Sequence, residues 1–413
     1  MDVEIITIGD ELMTGHTVDD NGAQIAARLT TIGLNVKYHS SVGDSLDAME
    51  EALRLALKRA RIVITTGGLG PTDDDLTRRA LVRVFKRNLV FHEDVLADIK
   101  ERWARRGIEM PAINQNQALL PQGARFFPNK IGSAVGICIS EQDRICISLP
   151  GVPVEMRQIL VDHVVPYLKG LKGIGAITVI KLRTTGVVES RLAEMIGVEL
   201  KLEAGVRLAY LPSYSGVDLR IIARGQSGAE AAEKAEGLAR RLEKVCGRYI
   251  YGRDDDRLEA VVGYLLRDND KTLSAAESCT GGLLGQLVTS VPGSSAYFVG
   301  SLVAYANEVK AEQLGVEPAV LEEHGAVSEE CAKAMAAGAR KLFRTDYALS
   351  ITGIAGPEGG TDDKPVGTVY VGLASAHTNQ ARLFRLGVDR QVNRARASYA
   401  ALEMLRREIL DIS

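Results

Sequence analysis

The chain has 413 residues, more than one ordinary core accommodates, so two or three domains are expected. With 50 Lys and Arg against 53 Asp and Glu, the net charge of -3 gives no long-range pull toward nucleic acid or a membrane surface. Aromatic residues at 5% leave few platforms for stacking single-stranded bases, and no run approaches the ~18 apolar residues of a membrane span.

The sequence begins directly on the strand pattern MDVEIITIGDEL, without the basic, apolar and small-residue order of a secretory leader. Cys138, Cys146, Cys246, Cys279 and Cys331 are odd in number and scattered, forming neither a disulfide framework nor a CxxC metal site. A cytoplasmic chain is expected.

Residues 1 to 170 alternate strand and helix. VEIITIGD reads as a strand, NGAQIAARLTTIG as a helix capped by Asp20 or Asn21 and stopped at Gly33, and LNVKYHSSVG as the next strand. The amphipathic SLDAMEEALRLALKRA then leads into the strand RIVITTGG. This βαβαβ order predicts a doubly wound parallel sheet with ligands at the C-terminal strand ends.

Within TTGGLGPTDDDLT, Gly67, Gly68 and Gly70 allow backbone N–H groups to approach an anion, helped by the helix start that follows. Three carboxylates beside a polyphosphate would repel it unless a divalent cation lies between, and hard cations take one or two carboxylates plus phosphate oxygens. A metal–pyrophosphate site is one reading. Simple stabilisation of the helix N-terminus by Asp73, Asp74 and Asp75, ~0.3–1 kcal/mol each, is the other. GDELMTGHTVDDN follows the first strand at the same sheet edge, so Asp10 and Glu11 complete the candidate cation shell and Asn21 adds an amide. SLPGVPVEM is a third strand-end loop, offering Gly151 and Glu155.

Residues 171 to 252 change character: the strand AITVIKLRTTG, the helix VESRLAEMIGVELK, the hairpin VRLAYLPSYSGVDLRIIARG and the helix GAEAAEKAEGLARRLEKVCG make a small α+β unit. The polar GRDDDRLEA marks the next junction. From 253 to 413 a second α/β layer structure is expected, ending in a helix over about 392–410.

In AAESCTGG, Ser278 follows an apolar strand and precedes a glycine pair that opens a helix. That geometry exposes a hydroxyl and leaves N–H groups at Thr280, Gly281 and Gly282 for an oxyanion or phosphate, although a plain helix cap reads the same way. Cys279 needs a base or cation to become a nucleophile, and reads better as a small buried residue. In SLVAYANEVK, Tyr305 and Lys310 lie near a strand end and helix start. A lysine at its ordinary pKa is almost wholly protonated at neutral pH, so acting as base requires burial or positive neighbours worth about 4 kcal/mol. Otherwise Lys310 orients and Tyr305 relays the proton. SITGIAGPEGG adds Thr352, Gly353 and Gly356 as substrate-lining residues. Arg390, Arg394 and Arg396 are candidate phosphate donors, or merely solvate the last helix.

TTGGLGPTDDDLT, IGDEL and LPGVPVEM together resemble the MoaB/MogA-type molybdopterin-binding fold in the form carried by the CinA, or competence/damage-inducible, family. Its motif GGLGPTxDDxT carries over onto Asp74, Asp75 and Thr77, with Asp73 at the variable position. The resemblance implies hydrolysis of ADP-ribose to AMP and ribose 5-phosphate with a divalent metal (Mg, Mn or Co) and often potassium. With Asp10 and Glu11 from the first strand-end loop, Asp74 and Asp75 are the candidate metal ligands and Asp75 also the candidate catalytic group; which carboxylate binds metal and which accepts a proton stays open at this point.

AESCTGG, the Tyr-xxxx-Lys pair and TGIAGPxGG with KPVGTVY resemble the PncC-type nicotinamide mononucleotide deamidase domain, which needs no cofactor. That implies Ser278 as nucleophile, Tyr305 and Lys310 as its activating pair, and nicotinate mononucleotide and ammonia as products. The middle segment resembles the KH-like connector of long CinA proteins but lacks a GxxG clamp, so no nucleic-acid partner is expected. The expectation is therefore a bifunctional pyridine-nucleotide hydrolase, homodimeric and free of the membrane, with domains at 1–170, 171–252 and 253–413. A molybdopterin-binding N-terminal domain and a non-enzymatic competence scaffold are the alternatives.

Overall fold

In the computed structural model the described residues are 1–171 and 175–412, without the side chains at 198 and 199. The sequence boundary at 170/171 borders residues 172–174, which lie outside the described residues. The chain packs as two compact units, Met1–Thr178 with Ala223–Ala232, and Val179–Ile222 with Glu233–Ser413.

The first unit carries β1 (Asp2–Ile8), β2 (Asn35–Val42), β3 (Ile62–Thr66), the short pair β4 (Leu89–Phe91) and β5 (Leu119–Pro121), then β6 (Arg125–Phe127), β7 (Gly136–Glu141) and β8 (Arg144–Leu149). Its six-stranded sheet runs β2-β1-β3-β8-β7-β6. The first four of these strands are mutually parallel, and β7 and β6 add antiparallel pairings at one edge. Strand alternation fills both faces. Ile62 and Ile64 pack with Ile25, Leu29 and Met156 in one core cluster, whereas Val63 packs with Met49, Leu53 and Leu81 in another. Helices thus cover the sheet on both sides, as the βαβαβ pattern predicts.

One boundary differs from the sequence reading. The helix Asp20–Thr31 is capped by Asp19, whose carboxylate accepts from the Gly22 amide at 2.8 Å. It ends before Gly33, which takes a φ of 89° while the Leu34 amide reaches back to the Leu29 carbonyl. That is the C-terminal turn glycine favours, so Gly33 lies past the helix.

The second unit contains most of a four-stranded sheet of order β10-β11-β9-β12, built from β9 (Ala176–Thr184), β10 (Val206–Pro212), β11 (Val217–Gly225) and β12 (Ile250–Arg253). It also holds a five-stranded sheet of order β14-β13-β15-β16-β17. Those strands are β13 (Leu273–Glu277), β14 (Phe298–Val303), β15 (Tyr347–Gly353), β16 (Thr368–Ala374) and β17 (Asn379–Arg385). β14, β13 and β15 are parallel; β16 and β17 follow without intervening helices and pair antiparallel. Tyr251 of β12 joins the core made by Leu258, Leu349, Val371 and Leu402. Arg406 of the helix Arg390–Leu410 donates to the Arg248 carbonyl at 2.7 Å. Among the described residues no helix is long and apolar enough to cross a membrane.

Candidate active sites

In the first unit, Thr7 registers with Thr66, Thr66 with Leu149, and Ile8 with Val42, so four strand-end loops leave one sheet edge. β1 has β2 on one side and β3 on the other, and a doubly wound sheet places its ligand crevice at such a reversal. Asn21 ties the edge together. Its amide nitrogen donates to Thr66 Oγ1 at 3.2 Å and to the Gly151 carbonyl at 2.7 Å, while its Oδ1 is buried without a partner among the described residues. Gly151 lies so near Gly67 that a Cβ on it would come within 3.3 Å of the Gly67 Cα. Gly67 and Gly68 both take positive φ, 114° and 63°.

The carboxylates are less uniform than the sequence suggests. Asp75 accepts from the Gly70 amide at 2.7 Å, the Thr72 amide at 2.9 Å and the Thr72 hydroxyl at 2.6 Å. Both of its oxygens are therefore committed to the loop. Thr77 is buried and donates to the Gly67 carbonyl at 2.8 Å, a staple within the turn rather than an open donor. Arg78 clamps the carbonyls of Leu69 and Gly70. Glu155 accepts from Asn129 at 2.6 Å, holding the loop before β7.

Asp74 and Asp73 remain exposed. Asp10 and Asp44 exchange bonds, each carboxylate accepting from the other's amide at 3.0 and 2.9 Å. Burial raises the Asp44 pKa above the usual carboxylate value, and the negative charges of Asp10, Glu11 and Asp74 raise it further. Asp44 was missed in the sequence reading; the signal was there, since β1 and β2 both run out into Gly-Asp. No three His, Cys, Asp or Glu side chains gather into a metal cage among the described residues. The hard oxygen donors of Asp10, Glu11 and Asp74 thus suit only an ion that takes its other ligands from phosphate and water.

In the second unit, β13 delivers Ser278 with its amide bonded to the Ile351 carbonyl at 2.9 Å. Ser278, Tyr305, Lys310, Thr352, Gly353, Gly356 and Arg390 line one cavity of about 280 Å³. The Ser278 hydroxyl, 9% exposed as a residue, has no hydrogen-bond partner among the described residues. Lys310 is 1% exposed; its ammonium donates to the Tyr305 carbonyl at 3.0 Å. Burial lowers its pKa from the ordinary 10.5, with Cys331, Cys279, Glu308 and Tyr305 opposing in part. Tyr305 is 62% exposed, and Arg390 reaches its phenol oxygen at 3.4 Å and the Gly356 carbonyl at 2.8 Å. Thr352 lines the cavity, but its hydroxyl donates to the Ala326 carbonyl.

The amides beyond Ser278 depart from expectation. Gly281 donates to the Ser278 carbonyl at 3.1 Å, and Gly282, Leu284 and Gly285 donate to the carboxylate of Glu277 at 3.1, 3.0 and 2.8 Å. Ser301 adds a fourth donor to this fully buried carboxylate at 3.0 Å. Gly281 and Gly282 are consequently no open anion cradle. Thr280, Gly281, Gly282 and Arg394 do not line the cavity, and Arg394 instead holds the Thr280 carbonyl at 2.7 and 3.1 Å. Arg396 lies elsewhere, against a separate cavity. Cys279 is 7% exposed with its thiol pushed up to about 11 by burial, unsuited to thiolate chemistry. Asn307 and Glu358 also line the cavity; Asn307 carries no signal in the sequence, and Glu358 stands where the family motif often has glycine.

The sequence matches three family models: a probable molybdopterin binding domain over residues 4–170, a damage-inducible protein CinA KH domain over 181–252, and a CinA C-terminal domain over 255–409. A CinA-like protein of Gemmatimonas aurantiaca is 43% identical over 98% of this chain and 96% of its own. The chain belongs to the CinA family. A second CinA-like protein, from Dictyoglomus turgidum, is 41% identical with both chains covered in full. Among solved structures, the CinA protein of Thermoplasma acidophilum, described as of unknown function, matches 39% of this chain and 94% of its own at 35% identity, with a TM-score of 0.37. This CinA chain is thus a mixed α/β protein with a MoaB-like N-terminal, a KH-like middle and a CinA C-terminal domain.

Proposed function

We propose that this CinA protein is a bifunctional pyridine-nucleotide hydrolase whose C-terminal cavity deamidates nicotinamide mononucleotide. The observation that carries the reading is convergence: an unpaired serine hydroxyl, a buried lysine and a cationic Arg390 meet at one small cavity from separate loops. Ser278 Oγ attacks the carboxamide carbon and gives up its proton to Lys310, either directly or through Tyr305. The C–N bond breaks, ammonia leaves with a proton, and water hydrolyses the resulting ester to the acid and free Ser278. Burial makes the neutral amine of Lys310 more accessible than in water, which favours a role as base. Glu277 holds the turn, and Arg390 fixes Tyr305 and the Gly356 loop. Ammonia release from nicotinamide mononucleotide, compared between the wild type and Ser278→Ala, tests this. A non-enzymatic scaffold would release none and would not respond to the substitution.

The second half of the proposal assigns the N-terminal crevice to ADP-ribose, hydrolysed to AMP and ribose 5-phosphate. It is favoured by the exposed Asp74, the Asp10–Asp44 pair and the orphaned Asn21 Oδ1 at the sheet's switch point. Asp10, Glu11 and Asp74 would hold a divalent cation with the substrate's phosphates, potassium accompanying it, and the ion would polarise the pyrophosphate. Asp75 is reassigned from catalysis to shaping the loop. Domain limits at 170/171 and 252/253 and a homodimeric assembly belong to the same reading. Titration with molybdopterin against ADP-ribose separates it from a pterin-binding role, which the family description of residues 4–170 keeps in view.

A further inference from the structure

A second, larger cavity of about 650 Å³ lies within the second unit, between the KH-like sheet and the last helix. One wall is the hairpin turn Ser213–Gly216 with Tyr214. The other is β17 with Arg382, Phe384 and Arg385, and a stripe of the helix Arg390–Leu410. Along that helix Arg396, Tyr399, Glu403 and Arg407 recur at intervals of three and four residues, so they share one face. Its opposite face, with Ala397, Ala401 and Leu405, belongs to the core.

The arginines of this helix fall into two classes. Arg406 and Arg407 are both bonded to Glu403, each at 2.7 Å, and Arg407 lies 5.5 Å from the Tyr249 ring. The side chains of Arg396, and of Arg382 and Arg385 on the neighbouring strand, have no hydrogen bond or ion pair among the described residues. The guanidiniums of Arg382 and Arg396 share the cavity and present planar donors suited to a phosphate, whereas Arg385, three residues from Arg382 on a regular strand, projects from the other sheet face. Tyr214, Phe384 and Tyr399 line the same space and offer flat apolar faces to a heterocycle. The volume falls within the ordinary range for small-molecule sites.

We infer that this cavity binds a nucleoside monophosphate, the phosphate on Arg382 and Arg396 and the base against Tyr399 and Phe384. The site is distinct from the Ser278 cavity, with which it shares no lining residue, and it does not depend on the hydrolase reading. It is a candidate for sensing nucleotide supply, because the helix that carries Arg396 also carries Arg390 at the first cavity.

Equilibrium dialysis of the full chain with labelled AMP, with adenosine and inorganic phosphate as separate arms, tests the inference. The wild type is expected to bind AMP more tightly than either fragment. Arg382→Gln and Arg396→Gln should each weaken one AMP site by about tenfold, the loss of one charge-assisted contact. Tyr399→Ala should weaken AMP and leave phosphate unaltered. Asp74→Ala should retain this AMP site, which separates it from product binding at the N-terminal crevice. Unfolding midpoints of Arg382→Gln and Arg396→Gln should match the wild type, which is the folding control, and their ammonia release should equal the wild type's. AMP binding unaltered in both arginine variants would overturn the proposal. So would loss of deamidation in Arg396→Gln, which would return that residue to the first cavity, or a change in sedimentation without a change in AMP binding, which would make this face a contact between copies.

Discussion

The turns at Gly67–Thr77 and at Glu277–Gly285 look alike in sequence and are built in opposite directions. Each follows a parallel strand, is rich in glycine, leads toward a helix and carries acid. In the first turn the acid comes from downstream: Asp75 folds back to take the amides of Gly70 and Thr72. In the second it comes from upstream: Glu277, the last residue of β13, reaches forward to the amides of Gly282, Leu284 and Gly285. In both cases a carboxylate takes part of the N–H set that a glycine-rich turn offers a phosphate, while Gly67 and Gly281 donate to the carbonyls of Leu149 and Ser278. The contrast separates two kinds of acidic residue: those that complete the turn, Asp75 and Glu277, and those left facing out, Asp73 and Asp74.

The sharpest way to break this comparison is at the residue each turn is proposed to serve. Ser278→Ala should lower ammonia release by at least about 10³-fold while ADP-ribose hydrolysis is unchanged. Asp74→Ala, or a chelator, should do the reverse, with AMP formation as the readout. A single substitution that silenced both activities in a folded chain would mean that the two turns do not serve separate sites.

Next in size is Lys310→Met, which keeps bulk and removes the amine. A loss of about 10²–10⁴-fold in kcat is expected if the residue is the base. The sign of the pH dependence follows from burial. The protonated amine is inactive and its pKa lies below the ordinary value, so wild-type activity should rise with pH with a midpoint below 10.5. The residual activity of the variant should lack that rise.

Stability comes third. Glu277→Ala strands several buried donors and should cost about 3 kcal/mol in denaturant unfolding, whereas Asp75→Ala, on a half-buried loop, should cost about 1–2 kcal/mol. Equal losses would show that the two carboxylates do the same work despite their different burial. The smallest effect belongs to Asp73→Asn, expected within about 0.5 kcal/mol because the side chain is exposed and makes no bond among the described residues.

The layer architecture was legible because strands buried on both faces, such as Ile62–Thr66, must be continuous apolar runs, while amphipathic helices must show their period. The C-terminal cavity was legible too: Ser278, Tyr305, Lys310, Thr352 and Arg390 were all named, and all reach it. What the sequence does not reveal is which donors and acceptors satisfy each other. Thr77, Asp75 and Glu155 have the chemistry of ligand contacts, yet they bond to nearby backbone or to Asn129, because a buried loop must pair its own polar groups first. Asp44 and Glu277 escaped notice for the converse reason. Asp44 matters through Asp10 on the neighbouring strand end, and Glu277, although inside AESCTGG, through the turn that folds back across it.

The five cysteines, read first as evidence of a reducing compartment, also make the protein its own stopwatch. All are free and buried, and burial raises every thiol pKa, those of Cys246, Cys279 and Cys331 to about 11. A maleimide added to the native chain can react only as fast as each region breathes open. Cys279, adjoining Ser278, would time the excursions of that turn, and slower labelling with nucleotide present would register substrate without any chemistry having taken place.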